Sequence, residues 1–171
     1  MDIVKLFSLG ARVGDKLAAR SETIAVAESS AGGLVSAALL SRAGASAYYL
    51  GGAVVYTRRA GRLLTTLTSE DTAGMRSSSP PYAQLLARHQ RERFRATWGL
   101  VETGAAGPAG NTYGDPAGHA CLAVDGPVLR ERTLRTGLDD RACNMIAFAT
   151  AALEVLEQAI DAASDVDPSH G

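Results

Sequence analysis

A serine pair at the end of an apolar run is the first feature of this sequence that could do chemistry. Thr23 to Ala27 (TIAVA) reads as a buried strand, followed by Glu28-Ser29-Ser30-Ala31-Gly32-Gly33 and then a helical stretch, LVSAALLS. Ligands of open α/β sheets collect at the carboxyl ends of strands. A helix start at the same place adds amides and a positive dipole end that favour an anion or a developing oxyanion. Ser29 or Ser30 could present a hydroxyl nucleophile, or either could cap the helix while Gly32 and Gly33 allow tight packing. Tyr56 ends the run GGAVVY, where a phenol serves as a proton relay or as half-buried packing. The Gly/Pro-rich stretch TGAAGPAGNTYGDPAG spans 103–118 after another strand. Its Thr103, Gly104, Ala106 and Gly107 let backbone approach a ligand closely, or simply make a flexible loop. His119 opens the next strand and is the histidine placed to reach a site, whereas His89 lies in a charged helical stretch and His170 in the tail. The chain carries no HExxH, CxxC, GxGxxG or Walker lysine motif, so neither a metal centre nor another cofactor is expected.

Positioning these groups requires alternating strands and helices. Residues 3–20 place Ile3, Leu6, Phe7, Val13, Leu17 and Ala18 near helical spacing, interrupted by Gly10 and Gly14. A second strand lies within 47–56, chiefly from Gly52 onward, and short helical turns are expected at 59–65 and 69–74. Pro80 and Pro81 suit the first turn of a helix over 80–94, since the amides they lack would go unpaired there anyway. Residues 98–102 (WGLVE) read as a third strand, and 119–124 with 128–135 as a hairpin turning at Asp125-Gly126-Pro127. A last helix over 139–162, capped by Asp139 or Asp140, carries Ile146, Ala149, Leu153, Leu156 and Ile160 on one stripe. This pattern predicts one layered α/β domain over residues 1–165, with the hairpin adding antiparallel strands and a frayed tail at 166–171.

Composition narrows the partners. Lys plus Arg is 17 and Asp plus Glu 18, a net charge of -1, so no chain-wide field holds a duplex or an anionic membrane. No nucleic-acid partner is expected. No run of about 18 apolar residues is present, which argues against a membrane-spanning helix. The amino terminus lacks the features of an export signal, and Cys121 and Cys143 read as reduced thiols, so a cytoplasmic location is expected. Only Lys5 and Lys16 are lysines; the other cationic side chains are arginines.

The order of the blocks resembles the C-terminal domain of the competence-damage-inducible CinA proteins, whose stand-alone members are nicotinamide-mononucleotide amidohydrolases. The family's AESCTGG is similar to residues 27–33, its GASAWF-like turn to Gly44-Ala45-Ser46-Ala47-Tyr48-Tyr49, and the first half of its GGVVTYSNEAK to GGAVVYTRRAG at 51–61. Its TGIAGP and downstream KPVG resemble Thr103 to Pro108 and Asp115-Pro116-Ala117-Gly118, so the likeness covers roughly residues 5–160. The resemblance implies a three-layer α/β/α fold with a mixed, mainly parallel sheet and a homo-oligomeric state. It also implies a pyridine-nucleotide substrate whose carboxamide is hydrolysed.

On this likeness Ser29 is the nucleophile and Tyr56 the motif's tyrosine. Glu28, Ser30, Gly32, Gly33, Thr103, Gly104, Ala106, Gly107 and His119 are expected to line the substrate site. Turn amides at 29–33 would hold the oxyanion, and Tyr56, Glu28 or His119 would manage the proton. The family's lysine, the base partner of the serine, falls on Gly61. A serine hydroxyl is a weak nucleophile until a neighbour takes its proton, and the adjacent Arg62 cannot do so, because a guanidinium keeps its proton. The same departure therefore admits a different class of function. This is a homologue that binds a phosphorylated ribonucleoside without turnover, its phosphate on helix-start amides or on Arg59, Arg62 or Arg141.

Overall fold

A computed structural model describes residues 2–164. The tail expected at 166–171 lies outside the described residues. The strands are β1 (Ile24–Glu28), β2 (Tyr49–Val54), β3 (Trp98–Ala105), β4 (His119–Asp125) and β5 (Arg130–Arg135). They form one sheet in the order β2-β1-β3-β4-β5. Pairs β1–β2 and β1–β3 are parallel, while β3–β4 and β4–β5 are antiparallel. Helices α1 (Ile3–Ala19), α2 (Leu34–Leu40), α3 (Arg58–Thr65), α4 (Pro80–Phe94) and α5 (Arg141–Ser164) complete the chain.

Alternation along the strands builds the expected three layers. Ile24, Val26, Leu100, Leu122 and Val124 point to one face and pack with the apolar sides of α1, α2 and α5. Ala27, Val101, Cys121 and Ala123 point to the other, under Ala83, Leu86 and Ala87 of α4. The opening helix buries Leu6, Val13 and Leu17 as its spacing predicts, but its inward face is shifted at the amino end. Leu9, Gly10 and Gly14 are buried while Ile3 and Phe7 stand 37% exposed. Close packing is the reason. A Cβ on Gly10 would overlap the Ala38 carbonyl of α2, and one on Gly14 the Tyr48 hydroxyl. Helix α5 is apolar and long enough by composition to cross a membrane. Here its Phe148, Ala152, Leu153, Leu156 and Ala159 are buried in the core.

Differences in strand boundaries matter for the site. β3 continues to Ala105, so Thr103 and Gly104 belong to a strand rather than to the loop predicted there. Their partners are Cys121 and Ala120 on β4, a pairing that no local pattern announces. β2 begins at Tyr49 and ends at Val54, which leaves Tyr56 beyond the strand. Gly51 and Gly52 lie inside it because Phe94 and Tyr49 occupy the space their Cβ atoms would need. At the start of α5, Asp140 is the cap, its Oδ1 accepting from the Cys143 amide at 2.7 Å.

Candidate functional site

The three mutually parallel strands deliver their carboxyl ends to one edge of the sheet, where a cavity of about 440 Å³ opens. Ser29 follows β1, Tyr56 follows β2, and Thr103 and Gly104 close β3; all four line this cavity. The remaining wall comes from α3, the segment 65–78, Tyr82, and Asn111 and Tyr113 of the Gly/Pro-rich loop.

The Ser29 turn is held by two carboxylates from adjacent strands, Glu28 and Glu102, which sit side by side in register. Both are buried. Glu28 accepts from the amides of Gly33, Val35 and Ser36 at 2.9–3.0 Å and from the Ser36 hydroxyl at 2.6 Å. It therefore caps α2, the task that the sequence left open to a serine. Gly33 itself is left-handed (φ 101°) at the head of that helix. Glu102 Oε2 accepts from the amides of Ser29 at 3.0 Å and Ala31 at 2.8 Å. Burial pushes the Glu102 carboxyl up to about 7, against the pull of these amides and with the help of the neighbouring Glu28.

Several expected roles are corrected by this arrangement. Glu28 is not a substrate contact or a proton carrier, since it is buried and spent on α2. Ser30 is buried with its hydroxyl donated to the Gly104 carbonyl at 2.7 Å, which staples β1 to β3. Neither Gly32 nor Gly33 lines the cavity, and of the turn amides expected to meet an oxyanion those of Ser29 and Ala31 already bond to Glu102, that of Gly33 to Glu28 and that of Gly32 to the Ser29 carbonyl. Ser29 is the exception. Its backbone is pinned, yet its hydroxyl has no hydrogen-bond partner among the described residues and its side chain is on the cavity wall.

Tyr56 stands 57% exposed, and its hydroxyl accepts from Arg141 Nη2 at 2.9 Å. Arg141 Nη1 donates to the Gly107 carbonyl at 2.8 Å, so one guanidinium ties the end of β2 to the glycine loop. Gly107, with φ 106°, thus acts through its carbonyl and does not line the cavity. Ala106 is buried in the core, its carbonyl taking Asn144 Nδ2 at 2.8 Å. His119 is 3% exposed and lies off the cavity, its Nε2 3.1 Å from the Ser78 carbonyl and 3.7 Å from Asp115. Thr103 is on the wall but buried, with its hydroxyl donated to the Ser77 carbonyl at 2.8 Å. Gly104 is there because a Cβ would overlap the His119 carbonyl on β4.

Helix α3 supplies the part of the wall that carries charge. Thr57 caps it, its hydroxyl accepting from the Ala60 amide at 3.1 Å. Arg58, Gly61 and Arg62 all line the cavity, and a Cβ on Gly61 would meet nothing within 4 Å. Arg58 Nη2 donates to the Tyr113 hydroxyl at 2.8 Å. The Ser77 hydroxyl and that guanidinium hold the Tyr113 phenol below its usual value. Tyr113 and Arg58 were not legible as site residues; both depend on the loop folding back over α3. Glu102 had a signal, since the runs TIAVAE and WGLVE each end an apolar strand on an acid.

Chemically, the cavity offers many hydroxyls, two guanidinium groups and no carboxylate, lysine or histidine among its described lining. Lys5 is exposed on α1 and Lys16 is engaged with Asp161 at 2.6 Å, so neither replaces an amine at position 61.

Comparison with known proteins identifies the family and the fold. A family model described as the CinA C-terminal domain matches residues 6–160. A CinA-like protein of Salinibacter ruber is 37% identical over 150 residues, covering 86% of this chain and 36% of that protein. One from Mycolicibacterium gilvum is 36% identical over 156 residues, covering 88% and 36%. The chain thus spans about a third of the length of the curated relatives it matches. Among solved structures, a CinA superfamily protein from Klebsiella pneumoniae superposes with TM-score 0.84 at 25% identity, covering 92% of this chain and 98% of that one. The competence/damage-inducible protein CihA from Agrobacterium tumefaciens gives 0.82 at 28%, covering 91% and 95%.

Proposed function

Since the chain belongs to the CinA C-terminal domain family, we propose that its cavity binds a pyridine nucleotide such as nicotinamide mononucleotide and that Ser29 hydrolyses the carboxamide at an attenuated rate. One observation carries this reading. Glu28 has taken over the capping of α2, so the Ser29 hydroxyl is left unengaged on the cavity wall. In this scheme Ser29 Oγ attacks the carboxamide carbon, the serine proton passes to the amide nitrogen as the C–N bond breaks, ammonia leaves, and water then releases the acid from the serine ester and restores the hydroxyl. Attenuation has two causes: no amine stands at Gly61 to take the serine proton, and the amides of Ser29, Ala31 and Gly33 are spent on carboxylates. Loss of a general base costs about 10²- to 10⁴-fold.

The test is ammonia release from nicotinamide mononucleotide by purified protein. Slow release that Ser29→Ala abolishes is expected; a rate untouched by that substitution overturns the mechanism. Gly61 favours a second reading, a module that binds the nucleotide without turnover. Heat of binding in a calorimeter with no ammonia above the buffer background selects it, and neither heat nor ammonia ends both. The proposal includes a cytoplasmic location, which the free thiols of Cys121 and Cys143 support. It also includes a homo-oligomer, supported by Leu50 and Val54 exposed on the edge strand β2.

A further inference from the structure

Helix α3 carries Arg58 and Arg62 one turn apart, so both side chains lie on one face, and both line the cavity. Like charges at this spacing repel, Arg59 adds a third cation, and α3 has no acidic residue in its first turn to offset them. Some arginines of the molecule find carboxylates, Arg12 meeting Glu157, Arg76 meeting Asp115 and Arg132 meeting Glu154, while others such as Arg93 and Arg141 bond to backbone carbonyls instead. Arg58 and Arg62 make no ion pair among the described residues. Nor does the chain as a whole explain them, for its net charge is -1. Two cations side by side on a concave, hydroxyl-rich wall whose lining holds no acid form a local positive field.

We propose that Arg58 and Arg62, with the Tyr113 hydroxyl, form a phosphate-binding subsite that takes the phosphomonoester of a nucleoside ligand. The inference rests on the reading that the cavity binds a nucleotide, and it assigns which wall receives the charged end. Planar guanidinium groups match phosphate oxygens with paired N–H donors, and Arg58 is already held by Tyr113 at 2.8 Å. Ser77 and Thr57 add hydroxyls to the same lining, while the Thr68 hydroxyl is engaged with the Asp71 carboxylate at 2.8 Å and the Thr57 hydroxyl accepts from the Ala60 amide. The expected site Arg59 is exposed and does not line the cavity, and Arg141 is committed to Tyr56 and the Gly107 carbonyl.

Titration calorimetry at low salt with ribose 5-phosphate, nicotinamide mononucleotide and nicotinamide riboside tests the subsite. Both phosphorylated ligands should bind, and each should weaken about 10- to 100-fold in Arg62→Gln and further in Arg58→Gln/Arg62→Gln. The riboside should bind more weakly than its phosphate and ignore these substitutions, and Arg59→Gln should leave all three affinities unchanged. Equal affinities for mononucleotide and riboside, or an unchanged mononucleotide affinity in the double variant, overturn the proposal. Thermal melts verify folding, and the single Arg62→Gln variant decides if the double one does not fold. Ribose 5-phosphate has no carboxamide, so its arginine-dependent binding upholds the subsite even where no ammonia is released. Conversely, ammonia release at an unchanged KM in Arg62→Gln sinks the subsite and leaves the hydrolase reading standing.

Discussion

One side of the cavity, the Ser29 turn with the end of β3, is built from strand ends whose polar groups are nearly all paired. Glu28 and Glu102 are buried beneath it, and Ser30 and Thr103 donate to backbone carbonyls. The other side, from Tyr56 through Thr72 with α3 at its centre, stands largely exposed and carries its cations without carboxylate partners. Burial makes the difference. On the strand side a substitution strands polar groups away from water, so it is felt as stability; on the α3 side it meets solvent and changes only the chemistry offered to a ligand.

Gly61→Lys breaks this contrast most forcefully if it fails. The added side chain has open space and faces the cavity that Ser29 lines, so ammonia release from nicotinamide mononucleotide should rise about 10²- to 10⁴-fold. Its denaturation midpoint should hold or increase, because a Cβ there meets nothing and a helical glycine is about 1 kcal/mol worse than ordinary helix formers. Gly61→Ala, which adds a methyl but no amine, should leave the rate unchanged. A Gly61→Lys protein no faster than the parent would show that α3 is not the wall where the proton is handled.

On the strand side the response should be the reverse. Glu28→Ala removes the acceptor of three amides and the Ser36 hydroxyl in a buried setting. A loss of about 3–5 kcal/mol in urea denaturation is expected. A loss below about 1 kcal/mol would mean that water reaches these amides and the two walls are not so different.

Glu102 sharpens the comparison through pH. Its carboxyl is raised from 4.5 to about 7 in the fold, so the native protein holds a proton that the unfolded chain releases between those values. Stability from this group is therefore full below the unfolded value and is lost as pH rises through the folded one. The whole change is about 3 kcal/mol. Glu102→Gln keeps an acceptor for the Ser29 and Ala31 amides but does not titrate. Urea midpoints at pH 5 and pH 8 should differ in the parent and converge in the variant; an equal drop in both would place the titrating group elsewhere.

Much of the layered fold was legible because it is periodic. The strand over 24–28, the helix over 80–94 and the apolar stripe of α5 follow from a short continuous apolar run, from paired prolines and from helical spacing. Misjudged boundaries share a cause. Thr103 and Gly104 look like loop until β4 pairs with them, and the second strand, expected chiefly from Gly52, begins at Tyr49 because β1 pairs with it from Ile24 onward. His119 was misread in the same way. Its position after a glycine-rich loop suggested access, but the fold buries it against Ser78 and Asp115.

The sequence by itself determined that a serine follows the first strand, that an acid precedes it, and that position 61 has no amine, since these are matters of residue type and order. Only tertiary structure decided which serine stays free, what the two acids do, and which arginines face the cavity. Those outcomes depend on partners remote in the chain: Glu102 reaches the Ser29 amide across 73 residues, and Arg58 reaches Tyr113 across 55. A buried polar group takes whatever partner the fold brings within about 3 Å, and that choice is settled by packing rather than by its neighbours in sequence.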